Sequence, residues 1–274
     1  MKAVVCRNVN QFGVEEVELD APKVGEIKVK MKAVGVCHSD LSVINGTFPL
    51  APPIVLGHEG AGIVEEVGEG VTRLAPGDHV VLSFIPSCGE CRDCHSHRPH
   101  LCSRGVPDGK MLDGTSRVHK DGADLGVMQY LGCMAEYVVI PQACAVKIDQ
   151  DIPLDKAALV GCGVMTGVGA AINTAKVEPG SSVAVFGCGG VGLSIIQGAR
   201  LAGAATIIAV DIAANKLDMA KHFGATHVIN GSEADAVIKI QELTEGGCDY
   251  AFEAVGVPKL MEQTNDCLRR GGTA

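Results

Sequence analysis

From residue 181 to residue 268 the chain alternates between two textures, and this restricts the fold more than any other feature. SSVAVFG (181–187) is an apolar run of the buried-strand type, and VGLSIIQGARLAG (191–203) carries its apolar residues at helical spacing. TIIAVD (206–211), a helical pattern over 213–223, THVIN (226–230), a helical pattern over 233–244, CDYAFEAVG (248–256) and a helical pattern near 258–268 follow. Strand and helix alternating four times predict a parallel, doubly wound sheet, because parallel neighbours need crossovers and the crossover helices cover both faces. At the first strand-to-helix junction stands Gly187-Cys188-Gly189-Gly190-Val191-Gly192, a G-x-G-x-x-G. Alone this pattern is weak in a chain with 35 glycines, but its place between strand and helix makes it specific. Gly187 permits the tight turn and Gly189 lets backbone N–H groups approach a pyrophosphate. The helix opens after Gly190, at Val191, and Gly192 lets it pack on the strand. Asp211 ends the next strand, nineteen residues after Gly192. A carboxylate there accepts hydrogen bonds from ribose hydroxyls and repels a 2′-phosphate, which favours NAD over NADP. Lys216 is placed to reach the same ribose, although a solvated surface lysine is the ordinary alternative.

A second feature is CGECRDCHSHRPHLC, from Cys88 to Cys102. Cys88, Cys91, Cys94 and Cys102 offer four thiols at short spacings. A disulfide knot conflicts with the rest of the chain: the N-terminal MKAVVCRNVNQFGVEE lacks a secretory pattern, and no stretch approaches the ~20 apolar residues of a membrane helix. A cytoplasmic setting follows, where disulfides rarely persist. Cys91-x-x-Cys94-His95 matches a haem attachment motif but leaves Cys88 and Cys102 unexplained. The spacing also departs from the bacterial iron–sulfur run. Four cysteines suit a closed, tetrahedral, structural zinc site, with His95, His97 and His100 left facing solvent.

The first half of the chain is β-rich. KVKMKAVGV (28–36), DHVVLSFI (78–85) and AEYVVI (135–140) read as short strands between Gly and Pro turns, in a barrel or sandwich. The segment 103–132 is polar, Gly-rich and without clear period, and is expected to be a long loop. A length of 274 residues suits two domains, and Gly161 to Gly169 looks like the hinge between the textures. A net charge of −9, with no Lys/Arg run, argues against a nucleic-acid partner.

Three further motifs stand in order: Cys37 in GVCHSD, His58 and Glu59 in GHEGAGIVEEVGEGV, and Cys162 in GCGVMTG. A lone cysteine is more often a small buried hydrophobe. Taken with the four-cysteine stretch and GCGGVG, however, these motifs make the whole chain resemble the zinc-dependent medium-chain alcohol dehydrogenases. The resemblance implies an α/β chain with a GroES-like catalytic domain over 1–163 and a Rossmann-type, NAD-binding domain over 164–274, with the active site in the cleft between them. It implies Cys37, His58 and Cys162 as ligands of a catalytic zinc with an open fourth position, a set that is the family's own. It also implies oxidation of a small-molecule alcohol by zinc-assisted hydride transfer to NAD. Ser39 matches the hydroxyl that takes the alcohol proton; Glu59 and Asp40 match carboxylates that orient the metal ligands. His38 matches a position facing the pyrophosphate, Thr166 one near the nicotinamide, and Phe48 and Phe84 line the pocket.

Two departures from the family stand out. Ser42 occupies a position where many relatives carry a proton-relaying histidine, and a hydroxyl is a poor base near pH 7. The chain also ends at RRGGTA (269–274), where members continue through two more strands and an oligomer-forming edge. The expectation is a C-terminally truncated chain with a four-stranded sheet and an open apolar edge near CDYAFEAVG. Two alternatives accompany the alcohol reading. One is a thiol-adduct formaldehyde dehydrogenase, which the 103–132 segment with DGTSR (113–117) resembles. The other is a non-catalytic, zinc-stabilised fragment.

Overall fold

The computed structural model describes residues 1–103 and 108–274; residues 104–107, part of the expected 103–132 loop, lie outside the described residues. The chain divides into two compact units, Met1–Cys162 and Gly163–Ala274.

The first unit contains strands β1 (Lys2–Asn8), β2 (Gln11–Glu16), β3 (Glu18–Leu19), β4 (Glu26–Val34), β5 (Ile54–Val55), β6 (Gly60–Val67), β7 (His79–Leu82), β8 (Val118–Lys120), β9 (Ala123–Val127), β10 (Tyr137–Pro141) and β11 (Ala145–Ile148). Its helices are α1 (His38–Ile44), α2 (Arg92–His95) and α3 (Leu154–Ala157). The strands form one sheet in the order β2-β1-β5-β9-β8-β3 and a second in the order β10-β4-β6-β7-β11. In the second sheet, Ile27 and Val29 of β4, Val64 of β6, Val80 and Leu82 of β7, and Val138 and Ile140 of β10 share one core. Alternate residues of β4, such as Lys30, point to water, as the period of two requires.

The three expected strands are present with shifted ends. The first stops at Val34, because Cys37 already caps α1: the Asp40 carboxylate accepts from the Cys37 backbone N–H at 2.9 Å. The 103–132 segment is not one long loop. It contains the β8–β9 hairpin, turned by Asp121 and Gly122 with φ of 53° and 78°. Left-handed backbone at both central residues suits a tight two-residue hairpin, and Asp-Gly was the available signal.

The second unit comprises α4 (Gly163–Gly169), β12 (Ser182–Phe186), α5 (Gly190–Leu201), β13 (Thr206–Asp211), α6 (Ala214–Phe223), β14 (His227–Asn230), α7 (Ala236–Leu243), β15 (Cys248–Glu253), α8 (Pro258–Asp266) and β16 (Leu268–Thr273). All strands pair in parallel, in the order β14-β13-β12-β15-β16. Along β12, Val183 and Val185 enter one core, with Ile195 and Ala199 of α5; Ala184 and Phe186 enter the other, with Ile240 of α7. Burial on both faces is why this strand reads as an unbroken apolar run.

One expectation needs correction. The sheet has five strands, not four: β16 pairs with β15 and covers the edge expected to be open. The division between the two units, after Cys162, falls inside the Gly161–Gly169 stretch, most of which is helical and forms α4. Its glycines are poor helix formers, but packing overrides propensity: a Cβ on Gly167 would meet the Val191 carbonyl at 2.4 Å, so α4 lies flush on α5.

Gly192 shows the same closeness at the turn between β12 and α5, where an added Cβ would sit 1.7 Å from the Gly187 carbonyl oxygen. Gly192→Ala is therefore expected to cost roughly 3 kcal/mol, since backbone cannot yield as a flexible side chain does. Urea unfolding checks this; an unchanged midpoint would show that loop and helix part freely.

Candidate functional site

Cys37, His58, Glu59 and Cys162 offer donor atoms that all lie within 4.8 Å of one another. They come from three structural joints. Cys37 is the N-cap of α1, His58 and Glu59 immediately precede β6, and Cys162 ends the first unit. Glycines allow the close approach. Gly57, with φ of 98°, has no room for a side chain against the Met134 backbone nitrogen (2.5 Å), and Gly161 would clash with the Leu82 carbonyl (2.6 Å).

Asp40 ties the cluster together. Its Oδ1 lies 3.2 Å from His58 Nδ1 while its Oδ2 accepts from the Cys37 N–H, and both Asp40 and His58 are buried. With Nδ1 engaged, Nε2 of His58 is left as the metal donor, and the carboxylate raises its basicity. Hydrogen bonds from Cys162 and His58 pull the Cys37 thiol well below its usual range, while the neighbouring Cys37 sulfur and burial push Cys162 up. Burial opposes a charged His58, yet Asp40 and Cys37 outweigh it and raise the imidazole to about 9. A lowered thiol beside a buried carboxylate gathers negative charge where the donor atoms converge. A Cys–His–Cys set with a buried carboxylate beside it fits zinc in ligand type.

Ser39 Oγ lies 3.7 Å from Cys37 Sγ, and the Phe84 ring stands edge-on to His58 at 5.8 Å. His38 is exposed, Phe48 packs at the edge of a separate core cluster, and Ser42 donates to the His38 carbonyl at 3.1 Å.

The second donor set is Cys88, Cys91, Cys94 and Cys102, again within 4.8 Å. The Cys88–Cys94 and Cys91–Cys102 sulfurs are 4.0 Å apart, double a disulfide bond. Backbone N–H groups of Cys88, Glu90 and Cys91 point at sulfurs at 3.3–3.4 Å, which stabilises thiolates. Gly89 turns the chain with φ of 75°, and His95, His97 and His100 are exposed. Four thiolates fill a tetrahedral zinc site, leaving no position for a reactant.

In the second unit a cavity of about 640 Å³ opens at the C-terminal ends of β12, β13 and β15, where doubly wound sheets bind ligands. Gly187, Gly189, Asp211 and Lys216 line it. Gly190 and Val191 open α5 at its mouth, and Gly192 is buried behind them. Asp211 accepts from the backbone N–H groups of Cys188 (2.8 Å) and Ala213 (3.0 Å). Burial alone would raise its pKa, but these bonds hold the carboxyl below its ordinary value and keep it anionic. Lys216 Nζ lies 3.9 Å from its Oδ2. Thr166 is exposed on α4, beside α5 rather than in the cavity lining. Val255, Lys259, Leu260 and Gln263 form part of the remaining wall. The last three are there because strand order brings α8 beside β12, and no local motif announced them.

Arg117, the arginine of DGTSR, is 1% exposed and committed elsewhere. Its Nε donates to Glu26 Oε2 at 2.8 Å, and its Nη2 donates to Glu26 Oε1 at 2.6 Å and Asp113 Oδ2 at 2.7 Å.

Comparison with known proteins agrees with this geometry. The family model described as "Alcohol dehydrogenase GroES-like domain" matches residues 23–150, and "Zinc-binding dehydrogenase" matches 190–274. The chain is 45% identical, over 283 aligned positions, to S-(hydroxymethyl)glutathione dehydrogenase of Paracoccus denitrificans, covering 98% of this chain and 75% of that protein. An alcohol dehydrogenase zinc-binding domain protein from Burkholderia ambifaria superposes with a TM-score of 0.94 at 41% identity, covering 99% of this chain and 75% of that one. Benzyl alcohol dehydrogenase from Acinetobacter calcoaceticus superposes at 0.92 with 37% identity, covering 100% and 76%. With such identity sustained along almost its whole length, the chain belongs to the zinc-dependent medium-chain alcohol dehydrogenase family, which includes the formaldehyde dehydrogenase branch.

Proposed function

We propose that this chain oxidises an alcohol with NAD, that Cys37, His58 and Cys162 hold the catalytic zinc, and that Cys88, Cys91, Cys94 and Cys102 hold a structural one. Membership of the family makes it an oxidoreductase. What supports the residue assignment is one observation: two cysteines and a histidine converge within 4.8 Å, with Asp40 on the outer nitrogen of the histidine. When bound, zinc supplies Lewis-acid stabilisation of negative oxygen, and NAD accepts the hydride. The chain's own residues do the rest. Asp40 fixes the His58 ring, Ser39 takes the hydroxyl proton of the substrate, and Glu59 adds a buried negative charge beside the donors. His38 and Thr166 are assigned to the cofactor, with Gly187, Gly189, Gly190, Val191 and Gly192 at the pyrophosphate and Asp211 and Lys216 at the ribose. Twelve free cysteines support a reducing, cytoplasmic setting.

NADH titration of the zinc-loaded chain, followed by cofactor fluorescence, tests the cofactor half. Saturable binding is expected. Asp211→Ala should weaken NADH by about 10–100-fold, the worth of hydrogen bonds to a charged group, while changing NADPH binding little. Equal losses for both cofactors, or no binding by the parent chain, would remove NAD from the reading.

A thiol-adduct substrate is the second reading, favoured by the 45% identity to an S-(hydroxymethyl)glutathione dehydrogenase. Arg117 does not support it, because its guanidinium is spent on Glu26 and Asp113. Rates of NADH formation from simple alcohols, set against formaldehyde plus glutathione, decide between the two.

A further inference from the structure

Gly35 lies two residues before Cys37, between the end of β4 and the start of α1. It is buried and its φ is outside the left-handed region, so its backbone makes no demand that only glycine meets. What excludes a side chain is Glu59. A Cβ on Gly35 would lie 2.6 Å from Glu59 Cδ, 2.7 Å from Oε1 and 2.9 Å from Cγ. The two backbones are held together at this point. The Gly35 N–H donates to the Glu59 carbonyl at 2.8 Å, Val34 pairs with Gly60 in the β4–β6 ladder, and Asp40 holds the Cys37 N–H. Parting them would break ladder and cap bonds together, so relief falls on the Glu59 side chain, which has rotatable bonds. Its carboxylate is the fourth member of the donor cluster with Cys37, His58 and Cys162.

We propose that Gly35 is a positioning residue for the metal centre: the missing side chain at this position seats the Glu59 carboxylate beside the two sulfurs and the imidazole. The proposal rests on the assignment of Cys37, His58 and Cys162 to zinc. A buried anion held there strengthens the attraction for a divalent cation, and displacing it weakens the hold without touching a ligand. Because the crowded atoms belong to the Glu59 side chain and not to backbone, Gly35→Ala is expected to fold.

Cobalt(II) titration of the full chain, with the four-cysteine lobe already holding zinc, reads this directly through visible absorption. Cys162→Ser identifies which absorption belongs to the Cys37–His58–Cys162 site. Gly35→Ala is expected to weaken cobalt there by about 10–100-fold, the usual effect of losing a supporting group around a metal, and to shift its absorption. Glu59→Ala should do the same. Combining the two should cost no more than Glu59→Ala alone, because the group that Gly35 accommodates is gone. The proposal is overturned if Gly35→Ala binds cobalt as the parent does. It is equally overturned if Gly35→Ala is as damaging in the Glu59→Ala background, since its effect is then on the backbone and not on the carboxylate. An absorption that survives Cys162→Ser overturns the metal assignment itself, a failure distinguishable from the other two.

Discussion

Replacing Cys162 with serine is expected to abolish alcohol oxidation, lowering the rate roughly 10³-fold or more, while leaving one zinc per chain and a folded protein. The reasoning starts from the ligand. Zinc binds thiolates readily, whereas a serine hydroxyl keeps its proton at neutral pH and makes a poor donor. Lewis-acid assistance contributes several kcal/mol to the barrier, and each 1.36 kcal/mol is a factor of ten in rate. The zinc proposed for Cys88, Cys91, Cys94 and Cys102 is expected to be unaffected, because their sulfurs form a separate donor set. Zinc content and NADH formation, measured on the same preparation, check both halves of the expectation. Two zincs with undiminished turnover would mean that Cys162 is not a ligand. Loss of both zincs with unfolding would mean that the two sets are not independent.

Legibility in the sequence followed the range of the interactions. The glycine-rich turn between β12 and α5 is readable because its requirements are local: a strand end, a turn and a helix start within the six residues Gly187–Gly192. The four-cysteine lobe was readable for the same reason, as was the β8–β9 turn at Asp121-Gly122, although its signal was overlooked. Strands β3 and β5 are two residues each, too short for any periodicity, and exist only through their neighbours. β6 begins in the glycine-rich GHEGAG stretch, where composition argues against a strand; close approach to β4 supplies the reason, since a Cβ on Gly62 would meet the Lys30 carbonyl at 2.4 Å. Cys37, His58 and Cys162 were recognised by motif, but their convergence is tertiary. The part played by Gly35 is visible only once Glu59 is placed beside it. The environment of Arg117 in DGTSR is tertiary in the same way: an arginine in a polar stretch gives no local sign that Glu26, ninety-one residues earlier, buries it.

Arg117→Ala is expected to destabilise the first unit by about 3–5 kcal/mol, the largest single loss of stability anticipated for this chain. The guanidinium is 1% exposed, and its principal partner, Glu26, is 7% exposed. Removing the arginine leaves a buried carboxylate without its counter-charge, and among the described residues the Lys23 backbone N–H at 2.9 Å is the one hydrogen-bond donor to the Glu26 carboxylate that remains. The network also spans the sequence: Arg117 precedes β8, Glu26 begins β4, and the half-exposed Asp113 holds both Arg117 and Lys23. Its loss therefore loosens the attachment of the 108–117 segment to the sheet as well as the ion pair. Urea unfolding should show a much lower midpoint. Arg117→Met combined with Glu26→Gln should lose far less, because replacing both partners leaves no buried charge uncompensated. If Arg117→Ala unfolds at the parent's midpoint, the cluster is not holding the unit together.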